Sequence, residues 1–207
     1  MSHADGDQAH ADWDARYAEQ DRMWSGEPNG ALVAEVADMD PGRALDVGCG
    51  EGADAIWLAD RGWDVTALDV SGVALQRAAE HAEESGVKIS WVHAGLVAAA
   101  LDPASFDLVS AQYFVLPRTP GLDAERALLA SVKVGGTLLL VHHVLTEEHA
   151  HHGGFDPDGY VSISMVAEAL DDDWLIEVDE QRPRTVPDGG AGAHHADDRV
   201  LRARRLR

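Results

Sequence analysis

From residue 43 onward, short apolar runs rich in Val, Leu and Ile alternate with longer stretches whose apolar residues recur at helical spacing. RALDV (43–47) is the first run and predicts a strand. In ADAIWLADRG (53–62), Ala55, Ile56, Leu58 and Ala59 share one helical face and Gly62 ends it. WDVTALDV (63–70) predicts the second strand. Ser71 is placed to cap the next helix, which buries Val73, Leu75 and Ala78 and stops at Gly86. VKISWVH (87–93), FDLVSAQYFV (106–115) and GTLLLVHHV (136–144) predict three further strands, the last preceded by a helix from about Leu122 to Lys133. Such alternation implies right-handed crossovers and a parallel sheet covered on both faces.

Both ends depart from this rhythm. WLIEVDEQRPR (174–184) and ADDRVLRARRL (196–206) are consecutive strand patterns with only the Pro/Gly-rich PDGGAGAHH (187–195) between them, which predicts an antiparallel hairpin closing the sheet. Ahead of the sheet, Ala9 to Gln20 and Gly30 to Asp38 read as helices flanking MWSGEPNG (23–30), while MSHADGDQAH (1–10) is too polar to expect order. GGFDPDGYVS (153–162) reads as a flexible lid leading into a short helix, SMVAEAL (164–170). The expected organisation is one domain over 1–207, with an N-terminal helical cap (1–40) on an α/β core (41–207).

Composition narrows the partners. Asp and Glu outnumber Lys and Arg 37 to 16, a formal net charge of -21 that repels a phosphate backbone. The basic C-terminus RVLRARRLR reads as a strand with an exposed face, so no nucleic-acid partner is expected. The single cysteine, Cys49, excludes an internal disulfide and any C-x-x-C pair. No apolar run reaches membrane-spanning length and no basic-then-apolar leader is present, so the expectation is a cytoplasmic protein with no membrane partner.

The chemistry concentrates at LDVGCGEG (45–52). Gly48, Gly50 and Ala53 fit a dinucleotide fingerprint, whereas Gly48, Gly50 and Gly52 fit a loop that holds a different adenosine-bearing ligand. Two carboxylates favour the second. Asp46, ending the first strand, repels a pyrophosphate and suits a ligand with an ammonium group. Asp69, ending the second, can accept hydrogen bonds from both ribose hydroxyls. Cys49 needs no chemical role in so crowded a turn.

LDVGCGEG, ALDVS (67–71), FDLVSAQYF (106–114) and KVGGTLLLVHH (133–143) resemble the motifs of the class I S-adenosylmethionine-dependent methyltransferases. WDARYAEQDRMWSGEPN (13–29) is similar to the lead-in of a small-molecule branch that includes tellurite-resistance-type and thiopurine-type enzymes. The resemblance spans roughly Trp13 to Arg204. It implies a Rossmann-like, doubly wound, mostly parallel seven-stranded sheet whose last two strands form the terminal hairpin, with an N-terminal helical lid. It also implies S-adenosylmethionine as cofactor and a small-molecule O, N or S nucleophile as methyl acceptor. Gly48, Gly50 and Gly52 would then pass under the methionine part of the cofactor, with Asp46 near its amino group, Asp69 on the ribose and Val70 beside the adenine. The backbone of Ala111 and Gln112 would face the methionine moiety. Many relatives place an acid after the third strand to bond the adenine amino group; this chain has Gly95 there, leaving the backbone of Leu96 to contact the ring.

For the acceptor end, Tyr17 and Trp24 are candidates to enclose the sulfonium through their aromatic faces, and Trp13 to pack the first helix onto the sheet. Asn29 and Glu27 read as capping and turn residues. His142 and His143 end the fifth strand and point to opposite sides of the sheet, so one of them is a candidate general base or substrate ligand, with Tyr113 and Gln112 competing for that role. His149, His151 and His152 follow, but HH-x5-H-x-HH lacks a metal signature and no metal is expected. Arg118, in the turn LPRTP (116–120), is the cation available to an anionic substrate. Two other readings share the pattern: a nicotinamide-dependent oxidoreductase, from Gly48, Gly50 and Ala53, and a cofactor-binding module without turnover, from Gly95.

Overall fold

The computed structural model describes residues 3–19, 23–144, 157–184 and 196–207, with side chains in the first helix from residue 11 onward. The elements in chain order are α1 (His3–Ala18), α2 (Gly30–Val36), β1 (Arg43–Val47), α3 (Ala53–Asp60), β2 (Asp64–Asp69), α4 (Gly72–Ser85) and β3 (Ser90–His93). There follow β4 (Phe106–Gln112), α5 (Asp123–Ser131), β5 (Val132–His143), α6 (Ile163–Ala169), β6 (Trp174–Pro183) and β7 (Asp197–Arg205). The strands form one seven-stranded sheet in the order β3-β2-β1-β4-β5-β7-β6. Strands β1 to β5 pair in parallel. β7 runs antiparallel to both β5 and β6, so the expected terminal hairpin closes the sheet by inserting its second strand inside its first.

Side-chain alternation divides the apolar residues between two faces. Leu45, Val47, Val109, Leu138, Leu140 and Leu201 pack with Ala124 and Leu128 of α5 and Ile163 and Val166 of α6. Ala44, Val65, Leu108, Leu139, Val141 and Val200 pack with Leu32 and Val36 of α2 and Ala55 and Leu58 of α3. Double burial is why β4 and β5 read as continuous apolar runs. The strand order reverses between β1 and β4, and in an open sheet of this kind the crevice at that reversal receives the ligand.

Several boundaries differ from the sequence expectation. α1 begins at His3, so the segment expected to lie loose continues the helix; Ala4, Gln8, Ala9 and Ala11 favour helix and no capping signal interrupts them. α5 ends at Ser131, and β5 starts at once, four residues before GTLLLVHHV. The pairing with β4 then slips, from Phe106 opposite Val132 to Leu108 opposite Thr137, around Gly135 and Gly136. The stretch expected as a lid is stitched down where described: Pro157–Gly159 is a 3-10 turn, Tyr160 bridges Pro117, and Val161 N donates to Leu116 O at 2.9 Å. Residues 153–156, His149, His151, His152 and PDGGAGAHH lie outside the described residues.

The C-terminal arginines are structural. Arg199 pairs with Asp179, Arg204 with Glu177, and Arg202 with Glu35 and Glu177, so β7 turns its cations onto β6 and α2.

The slip in β5 yields a stability prediction. A Cβ on Gly136 would lie 2.8 Å from Phe106 O and 3.0 Å from Lys133 O, both backbone atoms. Gly136→Ala is expected to lower unfolding free energy by about 2–3 kcal/mol, as an overpacked core site does. Urea unfolding with an unchanged slope and an unshifted midpoint would contradict this.

Candidate active site

A cavity of about 720 Å³ opens at the carboxyl ends of β1, β2, β4 and β5. Its floor is the turn after β1, in which Gly48, Gly50 and Gly52 take φ of 73°, 52° and 85°, left-handed values that favour glycine. Gly48 N and Cys49 N both donate to Leu68 O, fastening the turn to β2. A Cβ on Gly50 would lie 2.9 Å from Tyr17 Oη and 3.3 Å from Trp24 Nε1, so the aromatic lead-in closes directly over this residue. Burial pushes the Cys49 thiol well up, which suits a small packing residue and not a nucleophile.

Four carboxylates are buried around the turn, and three have dedicated donors. Asp69 accepts Gly50 N at 2.8 Å on one oxygen and Ser71 N at 2.9 Å on the other. Asp54 accepts the backbone N and side-chain amide of Asn29, both at 2.7 Å. Asn29 stands at the cap position of α2, but its side chain makes no cap bond; it ties α2 to α3 through Asp54 instead. Glu51 accepts Arg77 Nη1 at 2.9 Å and the backbone N of Met23 and Trp24.

Asp46 is different. It is 2% exposed and its Oδ2 has no partner among the described residues. Burial first, then the charges of Asp54 and Asp69, push its pKa well above the usual carboxylate range. A cation beside such a carboxylate favours its ionised form. The arrangement therefore fits a ligand that presents an ammonium group beside the glycine turn and hydroxyls beside Asp69, whose oxygens retain acceptor capacity.

α1 and the segment at Met23 and Trp24 are fastened over this floor by hydrogen bonds. Asp14 accepts Ser71 Oγ at 2.6 Å and Val73 N at 3.2 Å, at the start of α4. Ser71 Oγ in turn accepts Ala74 N, the expected cap. Trp24 Nε1 donates to Tyr17 Oη at 3.0 Å, and Glu51 holds the chain at Met23 and Trp24. Tyr17 is buried, which raises its pKa together with the charge of Asp69, while Trp24 remains 41% exposed. Trp13 lines the cavity and its ring centroid lies 6.1 Å from that of Tyr17.

At the other end, β4 stops at Gln112 and Tyr113 turns the chain with φ 50°. Tyr113 stacks on His143 with centroids 4.3 Å apart, and its hydroxyl donates to Asp198 Oδ2 at 2.7 Å. His143 Nδ1 lies 3.2 Å from Asp198 Oδ1. Arg184 Nε donates to Tyr113 Oη at 3.1 Å and lies 3.7 Å from Asp198. Burial opposes ionisation of Asp198, but the hydrogen bonds of His143 and Tyr113 outweigh it and hold its pKa below the usual range. His142 faces the opposite side, edge-on to Phe114, and burial pushes its pKa down. Gln112 is 8% exposed; its Nε2 donates to Ser110 Oγ and its Oε1 has no partner among the described residues.

The cavity brings together Tyr17, Trp24, Asp46, Gly48, Gly50, Gly52, Asp69, Val70, Leu96, Gln112, Tyr113, His142 and His143. Ala111 does not line it: its side chain is fully buried in the core under α5 and α6. Arg118 does not either, and its backbone N is bonded to Gly159 O. Glu51, Asp54, Arg184 and Asp198 line the cavity without having been singled out from sequence. Among the described residues no group of three or more His, Cys, Asp or Glu is arranged to hold a metal ion.

Residues 44–136 match a family described as a methyltransferase domain. Over this stretch, a little under half of the chain, it is similar to S-adenosylmethionine-dependent methyltransferases. It is 37% identical over 110 residues to a ubiquinone biosynthesis O-methyltransferase of Xanthomonas campestris, a match covering 53% of this chain and 46% of that one. The chain spans about half the length of the curated relatives it matches, 57% at the first of them. Among solved structures, one from work on conversion of a disulfide bond into a thioacetal group during echinomycin biosynthesis superposes with a TM-score of 0.75 at 22% identity. It covers 95% of this chain and 91% of the other. The N-methyltransferase NodS of Bradyrhizobium japonicum, in complex with S-adenosyl-L-homocysteine, gives 0.64 at 19% identity, covering 86% and 84%. These likenesses show the fold.

Two predictions follow from the carboxylates. An ammonium-bearing ligand favours ionised Asp46, so binding of S-adenosylhomocysteine should release a proton at any pH between the usual carboxylate range and the raised pKa of the free protein. Affinity should therefore rise with pH across that window and level off above it. Calorimetry in buffers of different ionisation enthalpy reads the proton count, and proton uptake would contradict the assignment. Glu51→Gln removes the charge that holds Arg77 and weakens the latch. The same ligand should bind about tenfold more weakly, as expected for loss of roughly 1.4 kcal/mol, with faster proteolysis between α1 and α2.

Proposed function

We propose that this methyltransferase moves the methyl group of S-adenosylmethionine to a small-molecule nucleophile by in-line displacement. The observation that carries the reading is the buried Asp46 carboxylate, whose Oδ2 has no partner among the described residues, beside a left-handed glycine turn, with Asp69 at the next strand end. Asp46 would hold the amino group, Asp69 the ribose hydroxyls, and Val70 and Leu96 the adenine face. The group held there supplies an electrophilic methyl on a sulfonium, whose positive charge disappears as the methyl leaves. The chain's own contribution is alignment and exclusion of water. Tyr17 and Trp24 close over Gly50, α1 is pinned by Asp14, and the segment beyond it by Glu51.

A small acceptor is favoured by the acidity of the cavity's walls. Glu27, Asp46, Glu51, Asp54, Asp69 and Asp198 line it against the guanidiniums of Arg182 and Arg184, a surface unsuited to a phosphate backbone. The named relative from X. campestris and the structural neighbour from B. japonicum, an O- and an N-methyltransferase, are consistent with this class. No helix among the described residues is long and apolar enough to cross a membrane, and we place the enzyme in the cytoplasm.

Calorimetry with S-adenosylmethionine and S-adenosylhomocysteine, followed by transfer of labelled methyl to a thiol, phenol and amine panel, tests the proposal. Both ligands are expected to bind the wild type, and Asp69→Asn to weaken them at least about tenfold through its ribose contacts. Binding of NADH with no response to either ligand would overturn the reading. Binding without transfer to any acceptor would leave a cofactor-binding module.

A further inference from the structure

Resting on the methyl-transfer reading of this cavity, we infer that Asp198 positions His143 as the general base and that the acceptor is a neutral hydroxyl, a phenol or enol. Three observations carry it. His143 and Asp198 are register partners across the β5–β7 pairing, and the imidazole lines the cavity with Nδ1 3.2 Å from the carboxylate. Asp198 is 3% exposed, accepts the Tyr113 hydroxyl at 2.7 Å and lies beside Arg184, so its orientation is fixed from three sides. Tyr113 stacks on the His143 ring at 4.3 Å, which sets the plane of the imidazole.

The tautomer follows from the pairing. An ionised carboxylate only accepts, so Nδ1 of the neutral ring carries the proton and Nε2 is the nitrogen that takes one. A thiol reaches its nucleophilic anion near neutrality without such a device, and a neutral amine attacks before it loses a proton. A hydroxyl needs its proton removed as it attacks. The acidic lining sharpens the choice: a phenolate or carboxylate arriving preformed meets six carboxylate side chains and two guanidiniums, whereas a neutral hydroxyl meets no such barrier. In the step, the hydroxyl proton passes to His143 Nε2, an oxygen electron pair forms the new O–C bond, and the C–S bond pair stays with the departing sulfur. The proton leaves His143 for solvent after product release, and Asp198 never exchanges one.

The test has two arms. In the first, long-range nitrogen–proton spectra of the histidines read the His143 tautomer without any acceptor. At a pH high enough for a neutral ring, the wild type is expected to carry the proton on Nδ1, and Asp198→Asn to lose that preference while Asp198→Glu retains part of it. In the second, the wild type and both variants are assayed with catechol, 4-methylumbelliferone, dithiothreitol and benzylamine as probes. Methylation of the two hydroxyl probes is expected, with kcat reduced about tenfold or more in Asp198→Asn at nearly unchanged KM, and a larger loss in His143→Gln. Binding of S-adenosylhomocysteine should stay within about twofold of wild type in all three variants. Loss of that binding in the wild type would sink the methyl-transfer reading itself. An Nε2-protonated His143 in the wild type, or methylation confined to the thiol and indifferent to His143→Gln, would overturn the present inference alone. If no probe is methylated, the histidine spectrum decides.

Discussion

Everything at this cavity depends on burying four carboxylates around one strand-to-helix turn. Like charges in a low-dielectric site repel strongly, and each must find donors or lose its charge. The fold answers this locally. Backbone N–H groups of Gly50 and Ser71 serve Asp69, Asn29 serves Asp54, and Arg77 with two backbone N–H groups serves Glu51. Each of these bonds also does architectural work: it closes the glycine turn, ties α2 to α3, or fastens the lead-in over the turn. Asp46 alone is left with an oxygen that nothing described satisfies. The unmet demand sits where a cationic ligand would meet it, so the electrostatic strain of the free protein becomes binding free energy for such a ligand.

The lid follows from the same donors. α1 carries few apolar residues for its length, and burial of Tyr17 together with the Asp14 bonds holds it in place, while Glu51 holds the segment at Met23 and Trp24. A segment held by a few polar bonds and one buried ring can release more cheaply than one packed by a continuous apolar stripe. That suits a cover which must admit a ligand and then exclude water.

The sheet was legible because doubly buried strands write themselves as apolar runs, and the glycine-turn end of the cavity because LDVGCGEG and Asp69 are contiguous with strand ends whose geometry is stereotyped. What escaped detection was set by distance along the chain. Glu51 reads as one more acid after a glycine, and nothing local shows that Met23 and Trp24 will donate to it. Asn29 looks like a helix cap by position, yet two short bonds to Asp54 outcompete the local one. The slip in β5 is similar: Lys133 to Gly136 carry too little apolar signal to announce a strand, and the pairing with β4 imposes it.

Asp198 is the clearest instance. It follows a Pro/Gly-rich connection in the sequence and precedes a run of arginines, and both neighbours suggest a surface turn. Its burial is decided by topology. Because β7 inserts between β5 and β6, the first residues of the last strand return to the carboxyl end of β5, the active end of the sheet. Antiparallel register then sets Asp198 opposite His143 and Val200 opposite Val141, so the residue two positions before a core valine shares that valine's side of the sheet. The same hairpin brings Arg184, just past the end of β6, alongside. A terminal hairpin that serves the fold by covering the edge of β5 thus also delivers a carboxylate and a guanidinium to the wall of the cavity. Each of these residues can be traded for another only if its hydrogen bonds and register are kept together.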